Sequence, residues 1–248
     1  MRVLQVLLPL AAFLGQAAAA PKHQAKKPPY FILTGDSTVA VNGGWGDGFL
    51  RYVAEPAAGV NAGKSGATTV SYRASGLWDT AIAGVEEHVE DYEPIVTIQF
   101  GHNDQKVMTT QEYQSNLTTL IADVKAAGGT PIIITSLTRR TFSGGSVVQN
   151  LEAWRVAAIA TADEADIQWL DLNIASTNYI NAIGSANADE YNLSSGDRTH
   201  LNTAGETVFG RMVADLLLEK RCDLEPYIIP NEALSAKIWA GEFATGDE

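Results

Sequence analysis

Two polar segments of this chain contain the three groups with which a hydrolase activates a nucleophile. The segment 35–38, Gly-Asp-Ser-Thr, follows an apolar run and places Ser37 where a strand would turn into the next element. Much later, Asp197 and His200 stand three residues apart, so the carboxylate can hold one imidazole nitrogen while the other faces a neighbouring hydroxyl. Each signal is weak alone, because Asp-Ser after a strand is commonly a turn or helix cap and an Asp-x-x-His pair is commonly a surface ion pair.

Two further segments offer hydrogen-bond donors suited to a developing negative charge. In the segment 61–66, Asn-Ala-Gly-Lys-Ser-Gly, Gly66 would let a backbone N–H approach a ligand closely. In the segment 101–104, Gly-His-Asn-Asp, the amide of Asn103 could aim an N–H at an oxyanion, although for this residue alone a capping turn is the better explanation. We expect His102 to be structural and to hold its loop through a ring hydrogen bond.

Several other function classes are disfavoured by the same sequence. Gly63-Lys64-Ser65 looks like part of a phosphate-binding loop, but that motif requires a glycine where Ala58 stands. The formal net charge of −12 would repel a phosphate backbone, so we expect no nucleic-acid partner. No His-Glu-x-x-His or other close ligand spacing occurs, so we expect no metal and no cofactor.

Three of the four segments that could carry chemistry directly follow predicted strands, and the fourth, 197–200, comes just before the last predicted helix. The predicted strands are 30–34, 59–62, 94–100, 131–136 and 167–172, and the predicted helices are 46–54, 72–91, 110–127, 149–165 and 203–220. Alternation of strands and helices predicts a three-layer α/β/α fold with a central five-stranded parallel sheet. Ligands bind such sheets beyond the carboxyl ends of the strands, so the polar segments should meet there.

The two ends of the chain are expected to lie outside this domain. A basic start, an apolar run and small residues up to Ala20 predict a signal peptide over residues 1–20 and therefore a secreted, extracellular protein. Residues 21–29 read as a solvated linker, 30–222 as the single domain and 223–248 as a tail, irregular after Pro230. No later segment is apolar for long enough to span a bilayer, so no membrane association is expected.

Taken together, the four segments resemble the sequence blocks of the GDSL/SGNH hydrolase superfamily. The blocks are Gly-Asp-Ser, Asn-x-x-x-x-Gly, Gly-x-Asn-Asp and Asp-x-x-His, and the resemblance runs from Tyr30 to about Lys220. It implies a flavodoxin-like fold and a serine esterase. It also implies that Ser37 is the nucleophile and first oxyanion donor, Gly66 and Asn103 the other donors, His200 the base and Asp197 its orienting carboxylate.

Further residues resemble the rhamnogalacturonan acetylesterase branch of the carbohydrate esterases. These are Gly-Asp-Ser-Thr, Gly44-Trp45-Gly46, Ser71-Tyr72 and Gly-His-Asn-Asp. The resemblance implies that the substrate is an acetylated plant cell-wall polysaccharide such as pectin. Arg139 and Arg140, after the fourth predicted strand, would then pair with uronate carboxylates or simply be solvated.

Two other functions stay open at this level. A broad short-chain esterase or lysophospholipase would use the same catalytic groups. A non-catalytic carbohydrate-binding protein would use exposed tryptophans as stacking surfaces, although core packing is the more common use of this residue. The tryptophans considered are Trp45, Trp78, Trp154 and Trp169.

The single cysteine and two sequons complete the sequence-level expectations. Cys222 excludes an intramolecular disulfide, and we expect its thiol to be partly covered beside the last predicted helix. An intermolecular disulfide or a nucleophilic thiol is the minor alternative. Asn116-Leu-Thr118 and Asn192-Leu-Ser194 match the N-glycosylation pattern and would be used only if they are exposed.

Overall fold

The computed structural model describes residues 27–248 and has a five-stranded parallel sheet between two layers of helices. The strands are β1 (Pro29–Gly35), β2 (Ala58–Asn61), β3 (Glu93–Gln99), β4 (Thr130–Ile134), β5 (Phe142–Ser143), β6 (Ser146–Val147) and β7 (Trp169–Leu170). Five of them pair in the order β2-β1-β3-β4-β7, all parallel, while β5 and β6 form a separate antiparallel hairpin. The predicted fold class is confirmed.

The helices divide between the two faces of the sheet. They are α1 (Gly46–Leu50), α2 (Thr69–Ala74), α3 (Leu77–His88), α4 (Thr110–Ala126), α5 (Glu152–Glu164), α6 (Leu172–Asp189), α7 (Thr203–Lys220) and α8 (Glu232–Ala240). Successive side chains of β1 point to opposite faces, so Phe31 and Leu33 pack with α1, α6, α7 and α8, whereas Ile32 packs with α2 to α5. Burial on both faces explains why the strands read as continuous apolar runs.

Two predicted elements differ from the structure. The predicted helix 72–91 is two helices, because Gly76 adopts a φ of +80° between α2 and α3. The predicted strand 167–172 pairs only at Trp169 and Leu170, and the unpredicted helix α6 begins at Leu172. The side chain of Asp171 accepts a hydrogen bond from the Ile174 amide and so caps that helix. Because Asp171 lies within the predicted strand 167–172, it was not identified as a helix cap.

The expectation of an irregular tail after Pro230 is wrong. Helix α8 occupies part of it, with the Asn231 side chain accepting from the Leu234 amide at its start. Leu234 and Ile238, one helical turn apart, are buried against the rest of the domain. The acidic composition of the tail hid this apolar pair, whose burial depends on a surface that distant elements provide.

Cys222 is exposed, so the expectation of a partly covered thiol is wrong. Helix α7 ends at Lys220, and the side chain of the next residue, Arg221, is mostly buried. Its guanidinium donates to Glu93 and Asp223, each at 2.9 Å from Nη2. The thiol that follows is therefore left at the surface.

The N-terminal predictions fall mostly outside the described residues. The predicted signal peptide 1–20 and most of the linker 21–29 are among them. The remainder of the linker belongs to the fold, because Lys27 Nζ donates to the Val89 carbonyl at 2.6 Å and Pro29 begins β1. Between residues 27 and 248, no helix combines the length and apolarity that crossing a membrane requires.

A close contact between α1 and α7 brings the two halves of the candidate site together. A Cβ on Gly48 would overlap the Glu206 carbonyl oxygen, and one on Gly210 would overlap the Gly48 backbone. Only glycine permits this approach. Helix α1 follows the Ser37 turn and α7 follows His200, so the contact sets the distance between these two residues.

Candidate active site

A buried polar network holds the turn that carries Ser37. The Asp36 carboxylate accepts from the Thr38 amide at 2.9 Å and from the Thr38 hydroxyl at 2.8 Å. Gln99, at the end of β3, donates to the Thr38 hydroxyl at 2.6 Å and accepts from the Trp45 indole N–H at 2.8 Å. Ser37 is therefore presented by a turn with little freedom.

Sequence reasoning missed this supporting network. At the sequence level Asp36, Thr38 and Trp45 belong to motifs and Trp45 is a possible stacking surface, but no hydrogen bonds are predicted among them. A usable signal existed in Gln99, a polar residue at the end of an otherwise apolar strand, because a buried amide must find partners. Burial raises the pKa of the Asp36 carboxyl, and the two hydrogen bonds from Thr38 oppose that shift.

The structure brings Ser37, His200 and Asp197 into one chain of hydrogen bonds. His200 Nε2 lies 2.8 Å from Ser37 Oγ, and His200 Nδ1 lies 2.9 Å from Asp197 Oδ2. A carboxylate can only accept, so Nδ1 carries the proton and donates to Asp197. The lone pair of Nε2 then faces the Ser37 hydroxyl, which is the arrangement of a base beside its nucleophile.

Backbone donors fix the Asp197 carboxylate from its other side. Its Oδ1 accepts from the amides of Thr199 and His200 at 3.1 and 3.0 Å. Burial alone would raise the pKa of Asp197, but the hydrogen bonds from His200 and Thr199 outweigh it and hold that pKa below its ordinary value. The carboxylate thus stays ionised beside the imidazole.

Gly43 and Glu206 join the two loops that carry Ser37 and His200. The Leu201 amide donates to the Gly43 carbonyl at 2.9 Å, and the Gly43 amide donates to Glu206 Oε1 at 3.1 Å. These bonds link residues that are far apart in sequence, so the Ser37 to His200 distance is a tertiary property of the fold.

Two of the predicted oxyanion donors, Gly66 and Asn103, lie on the loops after β2 and β3, the strands that flank β1. The Lys64 amide donates to the Gly35 carbonyl at 2.9 Å, which ties the loop after β2 to the end of β1. Gly66 is exposed, with φ +77°. Within the part of the chain that the structure describes, the backbone N–H groups of Ser37 and Gly66 donate to no protein group. Both are therefore available to a ligand.

The Asn103 amide is held by neighbours on both of its atoms. Its Nδ2 donates to the Ala67 carbonyl at 3.1 Å, and its Oδ1 accepts from Lys106 Nζ at 2.9 Å. Because an amide nitrogen carries two hydrogens, one donor remains for a ligand. The bond to Ala67 also joins the loop of Asn103 to the loop of Gly66.

Asp104 is a buried link between these same loops rather than a surface cap. Its Oδ1 accepts from the amide and hydroxyl of Thr69 at 2.8 and 2.7 Å, and its Oδ2 accepts from the Gly101 amide at 3.2 Å. Burial raises its pKa, and the hydrogen bonds from Thr69 oppose the shift. Asp104 therefore fixes the loop after β3 onto the start of α2.

His102 is structural, as predicted. Its ring is buried, and Nε2 lies 2.8 Å from the Leu137 carbonyl, to which it must donate. Burial lowers its pKa to about 3, so the ring is neutral through the mildly acidic and neutral range. His200 is thus the histidine of this site that can exchange a proton with a reactant.

The adjacent residues Arg139 and Arg140 have opposite environments. Arg139 is partly exposed, and its Nη1 donates to Thr199 Oγ1 at 2.5 Å beside the Asp197 to His200 segment. Arg140 is 1% exposed, so the prediction that it binds substrate is wrong, and so is the alternative that it is solvated. Residues on opposite sides of an extended backbone point in opposite directions, and only one of these two faces solvent.

Neither predicted glycosylation site presents a free amide. Asn116 lies within α4, and its Nδ2 donates to Thr69 Oγ1 at 3.0 Å. Asn192 Nδ2 donates to Asp189 Oδ1 at 2.9 Å. Both amides thus take part in hydrogen bonds of the fold, and glycosylation at either position stays a prediction.

The tryptophans considered as stacking surfaces are mostly in the core. Trp45, Trp78 and Trp154 are buried, and Lys220 Nζ lies 5.4 Å from the ring centroid of the half-buried Trp169. Core packing is therefore their main use, which leaves the carbohydrate-binding alternative without its expected surfaces. Within residues 27–248, no group of three or more acidic, histidine or cysteine side chains is placed to hold a metal.

Comparisons with known proteins show the family of this chain. The sequence profile of the GDSL-like lipase/acylhydrolase family matches residues 33–208, a range that includes Ser37, Gly66, Asn103, Asp197 and His200. The chain is 30% identical over 230 residues to rhamnogalacturonan acetylesterase RhgT of Bacillus subtilis (strain 168), covering 84% of this chain and 97% of that relative.

Solved structures share the fold at lower sequence identity. The crystal structure of protein YXIM_BACsu from Bacillus subtilis superposes with a TM-score of 0.65 and 24% identity, covering 79% of this chain and 58% of that one. Axe2, an acetylxylan esterase from Geobacillus stearothermophilus, superposes with a TM-score of 0.58 and 17% identity, covering 79% of this chain and 94% of that one.

Proposed function

This chain belongs to the GDSL-like lipase/acylhydrolase family and is a carboxylic ester hydrolase, and from that membership we propose that it removes acetyl groups from a carbohydrate through Ser37, His200 and Asp197. One observation carries the proposal. The hydroxyl, imidazole and carboxylate form a continuous hydrogen-bonded chain at 2.8 and 2.9 Å, at the carboxyl ends of parallel strands.

The proposed reaction is a two-step acyl transfer. His200 Nε2 takes the hydroxyl proton as Ser37 Oγ attacks the ester carbonyl, and the resulting imidazolium is stabilised by Asp197. Collapse of the tetrahedral intermediate expels the sugar alkoxide, which leaves with the proton from His200. Water then gives its proton to His200, attacks the acetyl-enzyme and releases acetate, so Ser37 recovers its hydroxyl.

The oxyanion is held by the N–H groups of Ser37 and Gly66 and by the remaining amide hydrogen of Asn103. Lys106 binds the amide oxygen of Asn103 at 2.9 Å, which determines that the nitrogen side faces the loop of Gly66. Donors fixed before the reaction begins need no reorganisation when charge develops, and this makes them effective.

Asn103→Ala is expected to lower kcat by about 10²- to 10³-fold, which corresponds to about 2.7–4 kcal/mol of lost transition-state stabilisation. The comparison is Asn103→Asp, which keeps the shape and the contact with Lys106 but removes the donor, and it should be at least as slow. Steady-state kinetics with p-nitrophenyl acetate measures the turnover of both variants, and thermal unfolding measures the stability of each. Full turnover in either variant would exclude Asn103 from the oxyanion site.

We propose pectin, a polysaccharide that contains acetylated uronate residues, as the natural substrate. The similarity to a rhamnogalacturonan acetylesterase supports this class. Arg139 supports it independently. Its guanidinium is partly exposed beside the Asp197 to His200 loop, which we call the catalytic loop. It has no carboxylate within 4.0 Å among residues 27–248. A cation in that position is suited to a substrate carboxylate.

Rates on four substrates test the substrate assignment. Acetylated pectin, acetylated xylan, p-nitrophenyl acetate and p-nitrophenyl octanoate are compared with the purified protein. Pectin should be the best polymeric substrate, and acetate should be released faster than octanoate. Preference for octanoate would support the broad esterase or lysophospholipase alternative.

Arg139→Met is expected to raise KM for acetylated, uronate-containing oligosaccharides by about 10-fold or more, the cost of one charge-assisted hydrogen bond. The neutral ester p-nitrophenyl acetate has no carboxylate, so its kcat/KM should change little. The wild-type KM for the anionic substrate should also rise with salt, and the variant should lose that dependence. An equal change with both substrates would mean that Arg139 acts only through its contact with Thr199.

We also propose that the protein is secreted and that residues 1–20 are removed. The basic start and apolar run of that segment support export. N-terminal sequencing of the protein recovered from the culture medium of a secreting host measures the cleavage position. Retention of the full chain inside the cells would contradict this proposal.

A further inference from the structure

We propose that Arg140 is a positioning residue that holds the backbone of the Asp197 to His200 loop in the geometry that catalysis requires. The inference rests on the proposed function, because it assigns a role toward the proposed triad. Arg140 stands in the loop after β4, and its side chain is 1% exposed, so it does not meet a substrate. A fully buried arginine beside a catalytic loop is costly and requires a structural or functional reason.

The guanidinium binds both ends of the catalytic loop. Arg140 Nη2 donates to the Asp197 carbonyl at 3.2 Å and to the His200 carbonyl at 2.6 Å. The Arg140 backbone amide also donates to the Arg198 carbonyl at 2.8 Å. One residue therefore contacts the loop at its first, second and last positions and fixes the separation of the carboxylate from the imidazole.

Asn192 anchors the guanidinium from the opposite side. Arg140 Nε donates to Asn192 Oδ1 at 2.9 Å, while Asn192 Nδ2 is held by Asp189. The backbone of Asn192 pairs with Leu201 in an isolated β-bridge, so the anchor is attached to the strand segment that leaves the catalytic loop.

The choice of arginine follows from the acceptors. The guanidinium faces two backbone carbonyls and one amide oxygen and has no carboxylate within 4.0 Å among the described residues. A planar fork of donors reaches three acceptors in fixed directions, whereas the ammonium of lysine is a single point on a flexible stem. Burial lowers the pKa of Arg140 to about 10, so the side chain is still protonated at neutral pH.

Loss of this contact should affect turnover more than binding. The His200 carbonyl also accepts from the Leu193 amide at 3.0 Å, so the loop would persist without Arg140. The position of the loop relative to Ser37 would, however, be less well defined. A misplacement of about 1 Å costs about 10²-fold in rate even when the mutated residue lies away from the reacting atoms.

The experiment compares Arg140→Met with Arg211→Met. Arg211 is the matched control, because it is 4% exposed and its Nη1 donates to a backbone carbonyl, that of Ile229, at 2.8 Å. It lies on α7, where its guanidinium binds Asp215, and among residues 27–248 it has no hydrogen bond to the Asp197 to His200 loop. Thermal unfolding, kcat and KM for p-nitrophenyl acetate, and the rate of covalent labelling by a fluorophosphonate are measured for each.

Both methionine variants should be less stable than the wild type, but only Arg140→Met should lose about 10²-fold in kcat and in labelling rate. KM should stay close to that of the wild type. The downfield proton resonance of the His200 to Asp197 hydrogen bond should broaden or move in Arg140→Met and persist in Arg211→Met. Wild-type kcat in folded Arg140→Met would overturn the proposal.

Conservative variants decide the case if Arg140→Met does not fold. Arg140→Lys keeps the charge and Asn192→Ala removes only the anchor, so each should fold and lose kcat with little change in KM, while Arg211→Lys should retain kcat. Wild-type kcat in both Arg140→Lys and Asn192→Ala would overturn the proposal. Labelling that persists in Ser37→Ala would instead show that the proposed triad, and not the role of Arg140, is at fault.

Discussion

Ser37→Ala is expected to lower kcat for p-nitrophenyl acetate by about 10⁶-fold and to abolish covalent labelling by a serine-directed fluorophosphonate. The reason is geometric. The Ser37 hydroxyl lies 2.8 Å from a histidine nitrogen whose lone pair faces it, and removing that oxygen leaves His200 with no group to activate except water. Intact-mass spectrometry of the labelled protein measures the modification, and steady-state kinetics measures the rate.

The control for this variant is Ser115→Ala. Ser115 is exposed on α4, so its loss should change neither labelling nor turnover. Labelling of Ser37→Ala at the wild-type rate would place the nucleophile elsewhere. A wild-type protein that resists labelling but binds acetylated polysaccharide would favour the non-catalytic carbohydrate-binding alternative.

Asp197→Asn is expected to lower kcat by about 10⁴-fold while leaving the fold intact. The Thr199 and His200 amides donate to one carboxylate oxygen, so the asparagine carbonyl should take that place and turn its NH₂ group toward His200 Nδ1. Nδ1 must then accept, which moves the ring proton to Nε2. An Nε2 that carries a proton cannot take one from Ser37.

The rates of the wild type and of Asp197→Asn, measured as a function of pH, test this predicted loss of kcat. In the wild type the hydrogen bonds from His200 and Thr199 hold the Asp197 pKa below its ordinary value. The carboxylate therefore stays ionised in mild acid, and its contribution to stability is lost only as the pH falls through that lowered value. A fall in the wild-type rate between pH 8 and pH 5 would accordingly not come from protonation of Asp197.

Asp163→Asn is the charge-matched control for this prediction. Asp163 is exposed on α5, where it accepts from the Trp169 indole at 2.9 Å, and its replacement removes one negative charge far from the catalytic loop. Its rate should equal that of the wild type. A rate for Asp197→Asn within tenfold of the wild type would show that Asp197 does not set the tautomer of His200.

Local features of the sequence were sufficient to predict where the site would form. Buried strands of a parallel sheet are continuous apolar runs, so the residues that follow them can be identified by inspection. The three-residue spacing of Asp197 and His200 is also local, because a tight loop can bring the carboxylate within reach of the near ring nitrogen. The oxyanion candidates Gly66 and Asn103 were found in the same way, from their positions after strands.

The spacing of apolar residues that indicates a helix was harder to recognise in segments dominated by small, polar or acidic residues. Helix α6 is rich in small and polar residues, and α8 lies in an acidic tail, so neither has a strong apolar stripe. Both are stabilised by burial against α7 and its neighbours. Tertiary packing thus supplies what local propensity lacks.

Arg139 and Arg140 show most clearly what the sequence did not determine. The two residues are adjacent and identical in type, yet one is partly exposed beside the Asp197 to His200 loop and the other is buried against it. Their difference depends on carbonyl groups more than fifty positions away, which come close only when the sheet and α7 are assembled. The same holds for the bond between Gln99 and Thr38.

The sequence by itself therefore determined the fold class, the edge of the sheet that carries the site and the residue types that could react there. It did so because strand periodicity and short-range spacing are encoded locally. The tertiary structure alone decided the Ser37 to His200 distance, the burial of Arg140 and the exposure of Cys222. Each of these depends on contacts between distant segments, and such contacts leave no pattern in a single stretch of sequence.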